Sequence, residues 1–270
     1  PERDGTNTDV FVIIHLTRNL ILIGGTSFAG EIQKAIFSVL NYLLPRENVL
    51  PLGCSANVGD DGDVALFIGV DGAGKSTLAS DDTRLLIGDA EHGWDDEGVF
   101  RVGRGCYAQT LGLDIDTTTD IWQTTRRFGT LLENVVIDAQ TRRLDLNDQS
   151  FTDNTRASYP ISHLLFATRE GTGSHPRNIF LLSKDGTGVL PLISKLTPDQ
   201  AYYYFLSGYT TELSVDKYGK TVARNKFSSC YGAAFKPLHP GHYARMFADK
   251  IKAYDVNVWL INSGWIGGAY

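Results

Sequence analysis

Between Gly69 and Thr77 the chain reads Gly-Val-Asp-Gly-Ala-Gly-Lys-Ser-Thr, the Gly-x-x-x-x-Gly-Lys-Ser spacing of a phosphate-binding loop. The chemistry that this spacing serves is the cradling of a polyphosphate. Gly72 and Gly74 allow a tight turn that brings backbone N–H groups up to phosphate oxygens. Lys75 would reach the outer phosphates, and the Ser76 hydroxyl would ligate the Mg²⁺ that travels with them. The expected nucleotide contacts are therefore Gly72, Ala73, Gly74, Lys75, Ser76 and Thr77. A second short apolar run, Arg84 to Gly88, ends at Asp89, where a phosphate-loop protein places the carboxylate that holds Mg²⁺ through water. The plainer alternatives are a glycine-rich βα turn that binds nothing and an aspartate that caps a turn. The order of strand, loop and apolar helix start (Thr77, Leu78, Ala79) favours the phosphate loop.

These groups need a scaffold, and the composition provides for one. The chain has 270 residues, 42% of them hydrophobic and 21% charged, enough for one large α/β domain or two closely associated lobes. A net charge of −6 without a basic run argues against a general nucleic-acid or membrane-surface binder. Cys54, Cys106 and Cys230 are odd in number and widely spaced, which points to free thiols in the cytoplasm or another reducing compartment, an organelle included. Apolar runs are too short to span a bilayer. Both ends read as cuts in a longer polypeptide.

Val10–Leu16 and Leu20–Ile23 are expected as two strands around a turn at 17–19, and Glu31–Tyr42 as a helix ended by Pro45. Val49–Ala56 is expected as a strand or buried loop, Gly93–Asp116 as short Gly-separated strands, and Thr117–Gly129 as a short helix. Leu131–Asp138 reads as one strand, Ser150–Pro160 as a polar loop carrying Arg156, and Asn178–Leu182 as a strand. Thr197–Gln200 starts a helix whose Tyr202, Tyr203 and Phe205 share one apolar face. His239–Ile251 is expected as a helix and Asn257–Asn262 as a closing strand. His15 reads as a half-buried histidine, His92 as a loop-ordering one and His175 as a loop residue; Cys54 reads as small-residue packing without a base beside it. The mixture lacks a strict βαβ repeat, so the fold class is α/β with a mixed sheet.

With the phosphate loop placed, a longer match emerges. The segments GGTSFAGEIQKAIF, CSANVGDDGDVALFIGVDGAGKSTL, LIGDAEHGWDDEGVF, GCYAQT, LLENVV, NTRASYP, GVLPLISKLTPDQAYYYFLSGYT, GAAFKPLHP and VWLINSGWIGGAY occur in that order. Together they resemble the ATP-dependent phosphoenolpyruvate carboxykinases, over essentially the whole chain. The resemblance implies two lobes around a cleft, with residues 1–62 part of the substrate lobe and 63–270 the nucleotide-binding lobe; the family's N- and C-terminal portions lie outside this chain. It implies decarboxylation of oxaloacetate, transfer of the γ-phosphoryl of Mg-ATP to the resulting enolate, and Mn²⁺ at that enolate. Lys75 and Ser76 match the phosphate-loop lysine and the Mg²⁺-ligating hydroxyl. Asp89 matches the first aspartate of an acidic pair, and Arg156 the arginine that neutralises phosphate and substrate. Lys34 matches a lysine that ligates Mn²⁺ as a neutral amine.

The departures from the family pattern fall where charge or metal is required. Gly53 stands where the family has a metal-ligating histidine, and Ala90 where it has a second aspartate. Phe28 replaces a tyrosine, Gln33 and Gln109 replace lysines, and Asp71 replaces a small loop residue. Lys34 alone cannot hold Mn²⁺. The resemblance thus implies a carboxykinase-like protein with an eroded metal and substrate site, kept as a nucleotide-binding or structural subunit of an assembly. Its alternatives are an active carboxykinase acting on oxaloacetate or phosphoenolpyruvate, and a phosphate-loop kinase with another acceptor.

Overall fold

The structure is a computed structural model that describes residues 2–113, 119–215 and 221–268. Pro1, the Asp114–Asp116 end of the expected strand region, Thr117 and Thr118 of the expected helix, and the closing Ala269-Tyr270 of the matched segments lie outside the described residues. In chain order the elements begin with β1 (Phe11–His15), β2 (Leu20–Gly24), α1 (Gly30–Leu43), β3 (Leu50–Val58), β4 (Val64–Gly69), α2 (Lys75–Ala79), β5 (Leu85–Trp94), β6 (Val99–Arg101) and β7 (Gly105–Gln109). They continue with α3 (Thr119–Thr124), β8 (Leu131–Glu133), β9 (Val136–Ile137), β10 (Leu144–Asp145), β11 (Arg156–Pro160), β12 (Thr172–Gly173) and β13 (Pro176–Ser183). The last are β14 (Ile193–Leu196), α4 (Pro198–Ser207), β15 (Tyr209–Val215), β16 (Thr221–Phe227), α5 (Pro240–Ala253) and β17 (Asn257–Asn262). The fold class is α/β with a large mixed sheet, as the sequence implied.

Contacts group the chain into two compact units, Pro1–Val39 with Gly103–Ala167, and Leu40–Val102 with Thr168–Tyr270. In the first, β1 and β2 pair antiparallel from Phe11 opposite Gly24 to His15 opposite Leu20. Asn19, left-handed at φ 49°, closes their turn. His15 is exposed there rather than half-buried, and its Nδ1 accepts a long 3.4 Å bond from the Arg18 N–H. A three-stranded sheet has the order β7-β11-β8, so Arg156 begins its central strand and does not lie in a polar loop. The apolar run from Leu131 is two strands, not one, because Asn134 adopts φ 58° and breaks the ladder between β8 and β9.

The second unit is built on an eight-stranded sheet with the order β12-β6-β5-β3-β4-β13-β17-β14. β13 lies parallel to both β4 and β17, while β3, β5 and β6 pair antiparallel. β4 reads VALFIG and is buried along its whole length, the continuous apolar run expected of a central strand covered on both faces. Residues 62–63 lie at the turn of the β3–β4 hairpin, whose two strands pair from Cys54 opposite Ile68 to Val58 opposite Val64. Helix α4 opens with a full capping box, Thr197 and Gln200 bonding reciprocally, and closes at Gly208 with φ 54°. It packs on α5 through Phe205 and Phe247, whose rings stack at 4.2 Å. Within α4 Phe205 is fully buried while Tyr203 is exposed, so the three aromatics do not share one face. The β15–β16 hairpin, in register from Tyr209 opposite Phe227, gave no strand signal in the sequence.

α5 and the end of α1 also enclose a cation. Lys236 Nζ donates to the Asn41 side chain and to the Pro51 carbonyl, both at 3.0 Å, and lies 4.5 Å from the Tyr243 ring centre. Burial pulls its ammonium down to about 8 from the usual 10.5. Between pH 8 and 10.5 the unfolded chain therefore holds the extra proton, and stability rises with pH across that window; below pH 8 the cost of the buried charge is fully present. Lys236→Met is expected to raise stability by about 1–2 kcal/mol at pH 7, with a gain that shrinks toward pH 10. Urea melts of both proteins across that range check this. A difference that does not change with pH would show that the ammonium is not desolvated.

Candidate functional site

In the second unit the Gly69–Thr77 segment forms a tight turn between β4 and α2. Strand β4 ends at Gly69, where an added Cβ would lie 3.0 Å from the Cβ atoms of Ala73 and Leu182, so the loop is pinned close to β13. Gly72 at φ 74° and Gly74 at φ 98° turn the chain through conformations that L side chains rarely adopt. The Ala73 N–H closes the turn onto the Val70 carbonyl at 3.2 Å, and buried Ala73 anchors it. Among the described residues, the N–H groups of Gly72, Gly74, Lys75, Ser76 and Thr77 have no acceptor in the chain. Lys75 is only 14% exposed; its Nζ donates to the carbonyls of Gly69 (2.9 Å) and Val70 (3.1 Å) and lies 3.7 Å from the Asp71 carboxylate. The loop is thus a ring of unspent donors closed by one cation.

Asp89 faces the start of α2. Ser76 Oγ lies 2.8 and 3.0 Å from its two carboxylate oxygens, and Ser55 Oγ donates to the same group from β3. The sequence placed Asp89 at the end of a strand. In the structure β5 continues through it to Trp94, so the carboxylate stands mid-sheet, directly opposite Ser55. A hydroxyl and a carboxylate at the edge of a phosphate loop form the hard-oxygen donor set that suits Mg²⁺, which takes most of its other ligands from phosphate and water. These two residues fit that ion.

Two of the three positions matched to Mn²⁺ ligands carry residues without a donor side chain, while Lys34 stands at the third. Gly53, opposite Glu91, carries no side chain, and Ala90, opposite Cys54, carries no donor. Among the described residues no group of three or more His, Cys, Asp or Glu could hold a metal ion. The neighbouring His92 is fully buried in β5 rather than in a loop; burial lowers it to about 4, and its Nδ1 donates to the Cys54 carbonyl at 2.9 Å. Its Nε2 has no partner. The same Nδ1 lies 3.5 Å from Cys54 Sγ, so a ring nitrogen does adjoin this cysteine. Burial raises the Cys54 thiol far above its ordinary value, so it serves packing and not nucleophilic attack. All three cysteines are buried and none is in a disulfide.

The first unit gathers a separate set. Arg156 in β11 stands opposite Gln109 on β7 and Glu133 on β8. Its Nε donates to the Asn154 side chain at 2.7 Å, and its guanidinium carbon lies 5.7 Å from the centre of the Tyr107 ring. Glu133 and Tyr107 were not singled out in the sequence, yet they clamp the start of α1. Glu133 accepts from the Ala29 N–H (2.8 Å) and the Tyr107 hydroxyl (2.7 Å), and that hydroxyl accepts from the Gly30 N–H (3.2 Å). Burial first, then the Glu133 hydrogen bond, raise the Tyr107 phenol well above its usual range. The available signal was a lone carboxylate in the apolar run LLENVV. One turn into α1, Lys34 Nζ donates to Glu31 at 2.9 Å.

A family model described as Phosphoenolpyruvate carboxykinase matches residues 1–270. Among curated proteins, one named Phosphoenolpyruvate carboxykinase (ATP) from Geobacter metallireducens is 55% identical over 271 residues, covering 100% of this chain and 51% of its own length. Proteins of the same name from Thermus thermophilus and Caldanaerobacter subterraneus are 51% and 50% identical, each over 100% of this chain and about half of their own length. The chain therefore spans about half the length of the curated relatives it matches. Among the described residues no helix is long and apolar enough to cross a membrane.

Proposed function

The chain belongs to the phosphoenolpyruvate carboxykinase family, and on that premise we propose that it binds Mg-ATP at the Gly69–Thr77 loop with an eroded enolate-metal site. The observation that carries the nucleotide half is the set of unspent backbone donors around Lys75, beside the Ser76–Asp89 pair. In this reading the N–H groups of Gly72 and Gly74–Thr77 bind phosphate oxygens, and Lys75 exchanges its two carbonyl acceptors for the outer phosphates. Ser76 and Asp89 would hold Mg²⁺, which when bound neutralises charge on the β- and γ-phosphates. Ala73 keeps the turn rigid. Arg156 and Lys34 serve the phosphate and substrate side.

The erosion half rests on Gly53 and Ala90, which offer nothing to a transition metal. An enolate left without a metal loses several kcal/mol of stabilisation, enough to silence the decarboxylation step. We therefore read the protein as a nucleotide-binding or structural subunit of carboxykinase type. The second reading, an active ATP-dependent carboxykinase, is favoured by identities of 50–55% along the whole chain to proteins that carry that name. Coupled assay of the native polypeptide with oxaloacetate, Mg-ATP and added Mn²⁺ separates the two. Saturable nucleotide binding without turnover is the expected result. Turnover at an ordinary enzymatic rate would establish the active enzyme and show that other groups replace the two missing donors.

A further inference from the structure

Two Arg-Arg pairs far apart in sequence converge in the first unit. Arg126 and Arg127 sit on the tight turns that follow α3, fixed by N–H bonds from Thr125, Arg126 and Arg127 back to Trp122, Gln123 and Thr124. Arg142 and Arg143 sit in the loop of the β9–β10 hairpin. That loop is held by Asp138, whose carboxylate accepts from the Gln140 and Thr141 N–H groups and the Thr141 hydroxyl. The Asp138 N–H bonds the Arg143 carbonyl at 2.9 Å, and Arg142 is held at φ 55°, a left-handed conformation that costs an arginine free energy. All four line one groove of about 830 Å³, floored by Leu132 and rimmed by a fully exposed Phe128.

What sets this groove apart is its missing counter-charge. Among the described residues no carboxylate forms an ion pair with any of the four arginines. Arg126 lies 4.0 Å over the Trp122 ring and Arg127 donates to the His163 carbonyl, which orients both without neutralising them. The nearest acid in the loop, Asp138, is held below the usual carboxylate range by its Thr141 and Gln140 bonds, all of which fall on its Oδ1. Four forked cations, held by ordered turns in a protein of net charge −6, create a local field that a multiply charged anion relieves.

We propose that this groove is a second anion site, which takes a small molecule bearing two or more linked phosphates. Guanidinium pairs match phosphate oxygens bidentately, and the spread of four of them suits adjacent phosphates better than one isolated ion. The site is independent of the Gly69–Thr77 loop, since it shares no residue with it.

The test is a calorimetric titration of inorganic tripolyphosphate at low salt into protein carrying Lys75→Ala, which removes the phosphate-loop cation. One binding event is expected, and it is expected to weaken at least tenfold when Arg142→Asn and Arg143→Ser are added. Asparagine accepts the left-handed backbone at 142, and circular dichroism verifies folding. In the parent background the same two changes leave the Mg-ATP affinity of the Gly69–Thr77 loop as it was. Arg142→Lys with Arg143→Lys keeps the charge and loses the forks, and weakening of at least threefold is expected. Undiminished tripolyphosphate binding in the Asn/Ser protein would overturn the site, and full binding in the lysine protein would overturn recognition by forked pairs.

Discussion

Lys75→Ala lowers the affinity for Mg-ATP by about 100-fold, roughly 2.7 kcal/mol, while the melting temperature stays within a few degrees of the parent. The size follows from the setting. Charge-assisted hydrogen bonds contribute about 1.5–3 kcal/mol each, and Lys75 offers its charge from a position only 14% exposed, where solvent screens it little. Its present acceptors are the carbonyls of Gly69 and Val70, which water satisfies once the ammonium is gone. Stability therefore changes little and affinity changes much. Isothermal titration of ATP with Mg²⁺ reads the first quantity and thermal denaturation the second. An unchanged dissociation constant would move the nucleotide away from this loop altogether.

Gly53→His combined with Ala90→Asp creates a Mn²⁺ site with affinity at least tenfold above either single change, because each supplies one of two adjacent donors. The local structure accepts both residues. A Cβ built at Gly53 meets nothing within 4 Å, so a side chain can start there without a clash. Ala90 already holds φ 107°, a strained conformation for any side chain, so aspartate there meets the same backbone cost that alanine does. The two positions lie on paired strands offset by one residue, Gly53 opposite Glu91 and Ala90 opposite Cys54, so regular alternation would turn them to opposite faces and the prediction relies on the backbone kink at Ala90 to bring its carboxylate round. Electron paramagnetic resonance of added Mn²⁺ counts the bound ion directly. A folded double variant that leaves Mn²⁺ free would mean that this part of β3 and β5 has diverged beyond two side chains.

The turn between β4 and α2 and the central strands were legible because their signals are local. Val64–Gly69 is apolar throughout, and the glycines that bend the loop are fixed in the motif. The capping of α4 was legible for the same reason. What escaped depends on pairing between distant segments. Arg156 is in a strand because Gln109 and Glu133 flank it, while its own neighbours Asn154 and Thr155 read as turn residues. The break at Asn134 is a backbone choice that apolar periodicity cannot register. The clamp of Glu133 and Tyr107 on α1 joins residues 77 and 104 positions from their partners. The groove of four arginines is invisible as a basic run, since each pair alone is unremarkable in sequence.

Asp89 stands in the middle of a strand and not on a loop, and this has a dynamic consequence. Backbone in the interior of an eight-stranded sheet moves by fractions of an ångström on the picosecond to nanosecond scale, and larger excursions require the sheet to open. The loop from Val70 to Gly74 is not part of that ladder; it is held by the Ala73 N–H on the Val70 carbonyl, by buried Ala73 and by the close approach of Gly69 to β13. The carboxylate is then a fixed post against which the start of α2 is set through Ser76. On the proposed function, a cation held by Asp89 is expected to keep its position while the nucleotide exchanges.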